Sequence, residues 1–185
     1  SLARRDAPLL VSGAVVHTLP YGATFDLESA TLVDFVKKLG KVPLVTTDSP
    51  GFVVNRILFP YLDEAVRLHC EGVSTNDIDR ALRQFGMPMG PLELLDQVGL
   101  DIAAHVAVTL NGLSPEPSPT AGALQEMTSA GNTGRKSGRG FYLYGKGKHG
   151  RAVSSSKVVR KKMSQDDIRD RILLRLVNEA ARCLQ

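Results

Sequence analysis

The stretch SPGFVVNRILFPYLDEAVRLHCEG, residues 49–72, constrains the fold more than any other part of the chain. Ser49 is suited to cap a helix and Pro50 to open its first turn. Apolar side chains then recur through Leu58, Leu62, Val66 and Leu68, and Gly72 marks the stop. Pro60 lies inside this pattern and is expected to kink the helix rather than end it, because the apolar face continues beyond it.

Further helices succeed it at short intervals. Ser74 with Asp77 forms a capping arrangement for NDIDRALRQF, which Gly86 closes. Pro88, Gly90 and Pro91 set a tight turn before two short helices that break near Gly99. SPEPSPT, at 114–120, is an extended connection, and a shorter helix spans about Gly122 to Ser129. Ser164 caps the last helix, with Asp166 and Asp167 near the positive end of its dipole and Ile168, Ile172, Leu176, Ala180 and Cys183 on one stripe. That helix reaches residue 185 without a C-cap, so we expect a chain cut from something longer.

Upstream, residues 1–22 carry little pattern, although LLVSGAVVHTL is compatible with a strand. From Thr24 a helix is marked at both ends: Asp26 and Glu28 stand in its first turn, Leu27, Val33, Val36 and Leu39 recur on one face, and Lys37 and Lys38 precede Gly40. VPLVTT, at 42–47, is a short β-rich run. The whole reads as a helical bundle.

Composition narrows the class. With 185 residues, 43% of them hydrophobic, the chain can bury a real core. No apolar run approaches the roughly 18–20 residues that would span a bilayer, and the N-terminus has no secretory pattern, so it reads as soluble and unsecreted. Cys70 and Cys183 have neither metal-ligand spacing nor the density of a disulfide framework, and buried free thiols are expected. Between Met127 and Gln165 lie ten Lys or Arg and no acid, against thirteen bases and nineteen acids elsewhere. The chain is an acidic body with one basic segment.

Within that segment GKGKHG, at 145–150, spells the Gly-x-Gly-x-x-Gly of a dinucleotide turn after the strand-like FYLY. The fingerprint also needs a helix directly after the glycines. In that place stands RAVSSSKVVRKK, which has three serines and no helical stripe. Asp166 and Asp167 stand near the spacing of a ribose-binding acid but are better explained as the first turn of the last helix. GKGKHG is therefore read as linker, with no cofactor-binding residue and no metal site in this chain. GRKS, at 134–137, fails as a phosphate loop because Arg135 separates glycine from lysine. Phe141, Tyr142 and Tyr144 beside the bases are able to stack nucleobases, yet a hook packed on the bundle explains them better.

DSPGFVVNRILFPYLDEA, KKLGKVPLVTTDSPGFVVNR, DIDRALRQFGMPMGPLELLDQVGLD and GRKSGRGFYLY together resemble the C-terminal helical domain of the 3-hydroxyacyl-CoA dehydrogenase family, from about Thr24 to Tyr144. DIRDRILLRLVNEAARCLQ further resembles the first helix of the second copy of that domain in the multifunctional α subunits of fatty-acid oxidation complexes. The resemblance implies an all-α bundle, 6-phosphogluconate dehydrogenase C-terminal-like, behind a remnant of a Rossmann domain. It divides the chain into 1–48 (a poorly matching segment and the Rossmann tail), 49–145 (the helical domain), 146–163 (a basic linker) and 164–185 (the first helix of a second copy).

The implied activity is oxidation of an L-3-hydroxyacyl-CoA to the 3-ketoacyl-CoA in β-oxidation, with hydride passing to NAD on the preceding domain. This chain alone is then expected to be inactive. The family's general base is a His paired with a Glu. His17 falls near the position of the Glu, HFFNP is absent from residues 1–16, and no catalytic role is assigned to His17.

One functional position carries over. The Asn of the family's PGFxxNR motif matches Asn55, which in the family lies beside the catalytic His and the substrate's reacting oxygen. A neutral amide can donate to that oxygen without competing for the proton. Arg56 is read as a structural ion pair, with anchoring of an acidic group as the other reading. Met87 and Met89 either line an acyl channel or pack in the core, the second being favoured.

The expected partners are acyl-CoA, the neighbouring domains and a second copy in a homodimer through helical faces, with no nucleic acid and no membrane span. The basic linker faces either an acidic neighbouring surface or CoA phosphates, and the spacing does not choose between them. The expected compartment is the cytoplasm in a bacterium, or a mitochondrion or peroxisome in a eukaryote. The alternative is a non-catalytic helical interaction module whose basic arm binds an acidic protein or nucleic acid.

Overall fold

The computed structural model describes residues 10–11, 14–15, 27–43, 53–111, 120–145, 150–153 and 159–183. The chain divides into two compact units, Ser1–Phe52 and Val53–Gln185. In the first, β1 (Leu10–Val11) and β2 (Ala14–Val15) pair antiparallel, with Leu10 opposite Val15. Helix α1 (Leu27–Lys38) ends as its sequence predicts: Lys37 and Lys38 occupy the last turn and Gly40 takes a φ of 69°. Val33 and Val36 are half-buried, whereas Leu39 on the same stripe is exposed. Thr24, His17, Ser49, Pro50 and the run 44–47 lie outside the described residues.

The second unit contains α2 (Val54–Cys70), α3 (Thr75–Phe85), α4 (Pro91–Val98), α5 (Leu100–Asn111), α6 (Thr120–Ser129) and α7 (Gln165–Arg182). Between α6 and α7 lie a short 3-10 turn at Arg135–Ser137 and the strands β3 (Tyr142–Leu143) and β4 (Arg151–Ala152). The all-α expectation holds. Helix α2 runs through Pro60 without interruption and buries Tyr61, Leu62, Ala65, Val66 and Leu68. Its start differs from the expectation of a capped opening at Ser49 and Pro50. The N-cap is Val53, whose hydrocarbon side chain makes no capping hydrogen bond.

Two predicted caps are present as expected. Ser74 Oγ accepts from the Asp77 N–H at 3.2 Å, and Ser164 Oγ accepts from the Asp167 N–H at 3.1 Å. At the other end of α3, Gly86 adopts a φ of 118°, and the Met87 N–H reaches the Leu82 carbonyl at 3.0 Å in a Schellman closure. Gly99, with a φ of 106°, separates α4 from α5 where the sequence places the break.

Helix α7 packs on α2 and α3 and inserts Ile168 and Ile172 into the common core. Around this apolar contact stands an ionic seam. Arg171 donates to Glu64 and to both oxygens of Glu71, Arg175 Nε reaches Glu64 Oε2 at 3.1 Å, and Lys161 Nζ reaches Glu71 Oε2 at 2.6 Å. The Arg171 and Lys161 hydrogen bonds pull the Glu71 carboxyl down to about 2 from an ordinary 4.5. A depressed folded-state value means that the stabilisation is complete above about 4.5 and is lost as pH falls through about 2. Glu71→Gln is therefore expected to remove part of the acid sensitivity of α7, measured as amide exchange across 165–182 between those pH values. An unchanged profile would contradict the ion pairing.

Both cysteines are free thiols, but neither is buried as expected, Cys183 being half-buried and Cys70 exposed. Cys70 is the last residue of α2, just past the end of the buried stripe at Leu68.

Candidate functional site

The motifs around the PMGP turn and the GRGFYLY hook form one structural device built on two buried carboxylates. Asp79 of α3 accepts from the N–H groups of Leu92 and Glu93, at 2.9 and 3.0 Å, and from the Tyr142 hydroxyl at 2.7 Å. It thereby caps α4 from a different helix. Asp96 of α4 accepts from the N–H groups of Phe141 and Tyr142 and from the Tyr144 hydroxyl, each at 2.9 Å. Burial pushes the Asp79 carboxyl up to about 6 against the pull of these hydrogen bonds, and it raises Asp96 as well.

Glycine is required beside each acid. A Cβ on Gly90 would overlap the Asp79 carboxyl, and one on Gly140 would overlap Asp96 Oδ1. The tight turn and the hook are thus one clamp. Phe141 and Tyr142 are buried in it, and the ring of Tyr144 takes the guanidinium of Arg135 at 6.0 Å. These aromatics are occupied in packing.

Sequence reasoning missed Asp79 and Asp96. The available signal was an acid inside an apolar stripe: Asp79 adjoins Ile78 on the buried face of α3, and Asp96 adjoins Leu95 on that of α4. A charge at such a position has to be compensated by hydrogen bonds.

The Gly-x-Gly-x-x-Gly match lies between strands that pair antiparallel, Tyr142 opposite Ala152 and Leu143 opposite Arg151. Lys146, Gly147, Lys148 and His149 are outside the described residues. A dinucleotide turn requires a helix in the place taken by β4. Gly150 has its own structural reason, since a Cβ there would crowd the Tyr142 side chain. Arg151 to Val153 of the basic segment belong to the same hook, with the Val153 N–H on the Phe141 carbonyl at 2.9 Å. With β4 in that place, no helix N-terminus directly follows Gly150 to meet a pyrophosphate. GRKS likewise forms only the 3-10 turn, with Gly134 pressed on the Asp96 backbone.

Asn55 stands half-buried in the first turn of α2. Arg56 beside it makes the structural ion pair that the sequence favours, Nε to Glu179 Oε1 at 2.9 Å, and this hydrogen bond raises the guanidinium. Met87 packs against the core and Met89 is half-buried. A hollow of about 180 Å³ opens elsewhere, lined by His69, Met127, Asn132, Arg139 and Phe141 among others, and it shares no residue with the Asn55 turn. His69 meets Phe141 edge-on at 5.2 Å, and burial lowers its imidazole below the ordinary value.

Among the described residues no group of three or more His, Cys, Asp or Glu is placed to hold a metal ion, and no helix is long and apolar enough to cross a membrane.

The family model for the 3-hydroxyacyl-CoA dehydrogenase, C-terminal domain, matches residues 51–144, which include Asn55, both buried acids and the hook through Tyr144. The chain belongs to this family.

Among solved structures, (S)-3-hydroxybutyryl-CoA dehydrogenase PaaH1 from Ralstonia eutropha is 41% identical, with a TM-score of 0.57 over 63% of this chain and 42% of its own. The 3-hydroxybutyryl-CoA dehydrogenase from Escherichia coli is 35% identical, with a TM-score of 0.57 over 72% of this chain and 30% of its own. The dehydrogenase part of multifunctional enzyme 1 from C. elegans is 29% identical, with a TM-score of 0.59 over 84% of this chain and 37% of its own. The chain thus spans less than half the length of each of these relatives.

Proposed function

We propose that this chain is the helical part of an NAD-dependent L-3-hydroxyacyl-CoA dehydrogenase of fatty-acid β-oxidation, in which it shapes the acyl-CoA side of the cleft. The observation that carries the proposal is the family match across 51–144 with Asn55 inside it, together with the likeness to 3-hydroxybutyryl-CoA dehydrogenases. When bound on a preceding domain, NAD would supply the hydride acceptor. In this chain Asn55 would donate its amide to the substrate oxygen as charge builds there, and its neutrality would leave the proton to the general base.

The multifunctional type is the better fit. Similarity to the C. elegans multifunctional enzyme covers 84% of the chain, against 63% for the Ralstonia enzyme. In this proposal α7 is the first helix of a second copy of the domain, seated on the first. Exposed Leu174 and Val177 on α7, with Ile102 and Val108 on α5, support further contacts with neighbouring domains or a second copy.

In the full enzyme that carries this region, Asn55→Ala is expected to lower kcat for acetoacetyl-CoA-dependent NADH oxidation about a hundredfold. The chain by itself is expected to give no turnover. A full enzyme without 3-hydroxyacyl-CoA activity, or an Asn55→Ala variant at the full rate, would sink the proposal.

A further inference from the structure

We propose that Glu179, on α7 and outside the family-matched span, is a positioning residue that holds the first turn of α2, and Asn55 with it, through its ion pair with Arg56. This rests on the role given to Asn55 in the proposed function. The need for such a tether lies in the construction of the turn. Among the described residues, Val53 provides no side-chain cap for this turn, and the first turn of α2 contains no acid. Among the described residues, the bond from Arg56 to Glu179 is the side-chain anchor of residues 54–57.

That anchor has a defined geometry. Arg56 Nε lies 2.9 Å from Glu179 Oε1, and the other carboxylate oxygen, Oε2, accepts from Arg182 Nη1 at 3.1 Å. The Glu179 side chain is 14% exposed and that of Arg56 37%, so solvent screens the pair from the Arg56 side and less from the carboxylate side. The helix that carries Glu179 is itself fixed, by Ile168 and Ile172 in the core and by Arg171 and Arg175 on Glu64 of α2. A displacement at Glu179 therefore passes to Arg56 and to the residue next to it. Placing a reacting group wrongly by about 1 Å can cost as much as a hundredfold in rate.

In the full enzyme, Glu179→Ala and Glu179→Gln are expected to lower kcat roughly tenfold, with KM for acetoacetyl-CoA changed by less than about twofold. The exchanged pair, Arg56→Glu with Glu179→Arg, is expected to recover most of the loss. Arg182→Ala, which removes only the exposed partner, is expected to keep the parent rate. On this chain without substrate, Glu179→Ala is expected to speed amide exchange at 54–58 while leaving α3 unchanged. Unaltered kcat in both Glu179 variants, alongside an impaired Asn55→Ala, would overturn this inference and leave the proposed function standing. Unaltered kcat in Asn55→Ala would overturn both. Faster exchange across every helix with kcat preserved would mark the pair as ordinary stabilisation and overturn the inference as well.

Discussion

Replacing Asp96 with alanine is expected to cost about 3–5 kcal/mol of folding stability, because it strands several donors at once. The N–H groups of Phe141 and Tyr142 and the hydroxyl of Tyr144 all end on its two oxygens. Phe141 and Tyr142 are buried, so water cannot replace the lost acceptor without opening the hook. The half-buried Tyr144 can turn to solvent, which keeps the cost below the sum for three fully buried donors. Asp96→Asn is expected to recover only part of the loss, since one of its two groups is a donor facing donors. Urea unfolding of the three proteins checks this. A loss under about 1 kcal/mol for the alanine variant would mean that the clamp does not hold the hook.

The second large effect is expected at Arg171. It joins Glu64, which is buried, to Glu71 at the end of α2. Breaking a buried pair by removing one partner typically costs about 3–5 kcal/mol; because Arg171 is about a third exposed, and Arg175 still reaches Glu64 and Lys161 still reaches Glu71 without it, we expect about 2 kcal/mol for Arg171→Ala. The loss should be local. Amide exchange across 165–182 should accelerate well before that of α3 to α6, since only Ile168 and Ile172 of α7 are fully enclosed by the core. Arg171→Lys should recover little, because a single ammonium cannot serve two carboxylates in the planar fork that guanidinium provides. Uniform acceleration across all helices would instead place Arg171 in the global core.

Neither Asp96 nor Arg171 stands out in the sequence. Ser74, Gly86, Gly99 and Ser164 are legible there because a cap or a positive φ is satisfied within a few residues of chain. The start of α2 is less so: Ser49 and Pro50 have the chemistry of an opening, yet the helix begins at Val54 without a side-chain cap. Asn55 is legible only through its place in a known motif. Nothing in its local spacing separates it from any other polar residue on a helix.

Asp79, Asp96 and Arg171 act across separations of 13 to 107 residues. Their partners are chosen by how helices and hook pack, and no local pattern encodes that choice. The Gly-x-Gly-x-x-Gly match makes the same point from the other side, because the identical string serves a nucleotide turn or a hairpin according to whether helix or strand comes next. The sequence by itself determined the helices, most of their ends and the family, since periodicity, caps and left-handed glycines are matters of neighbouring residues. Only the tertiary structure decided which buried charges are satisfied, what the glycines make room for and how α7 reaches the turn that bears Asn55. Desolvating a carboxylate or a guanidinium is tolerated solely where distant donors and acceptors converge on it.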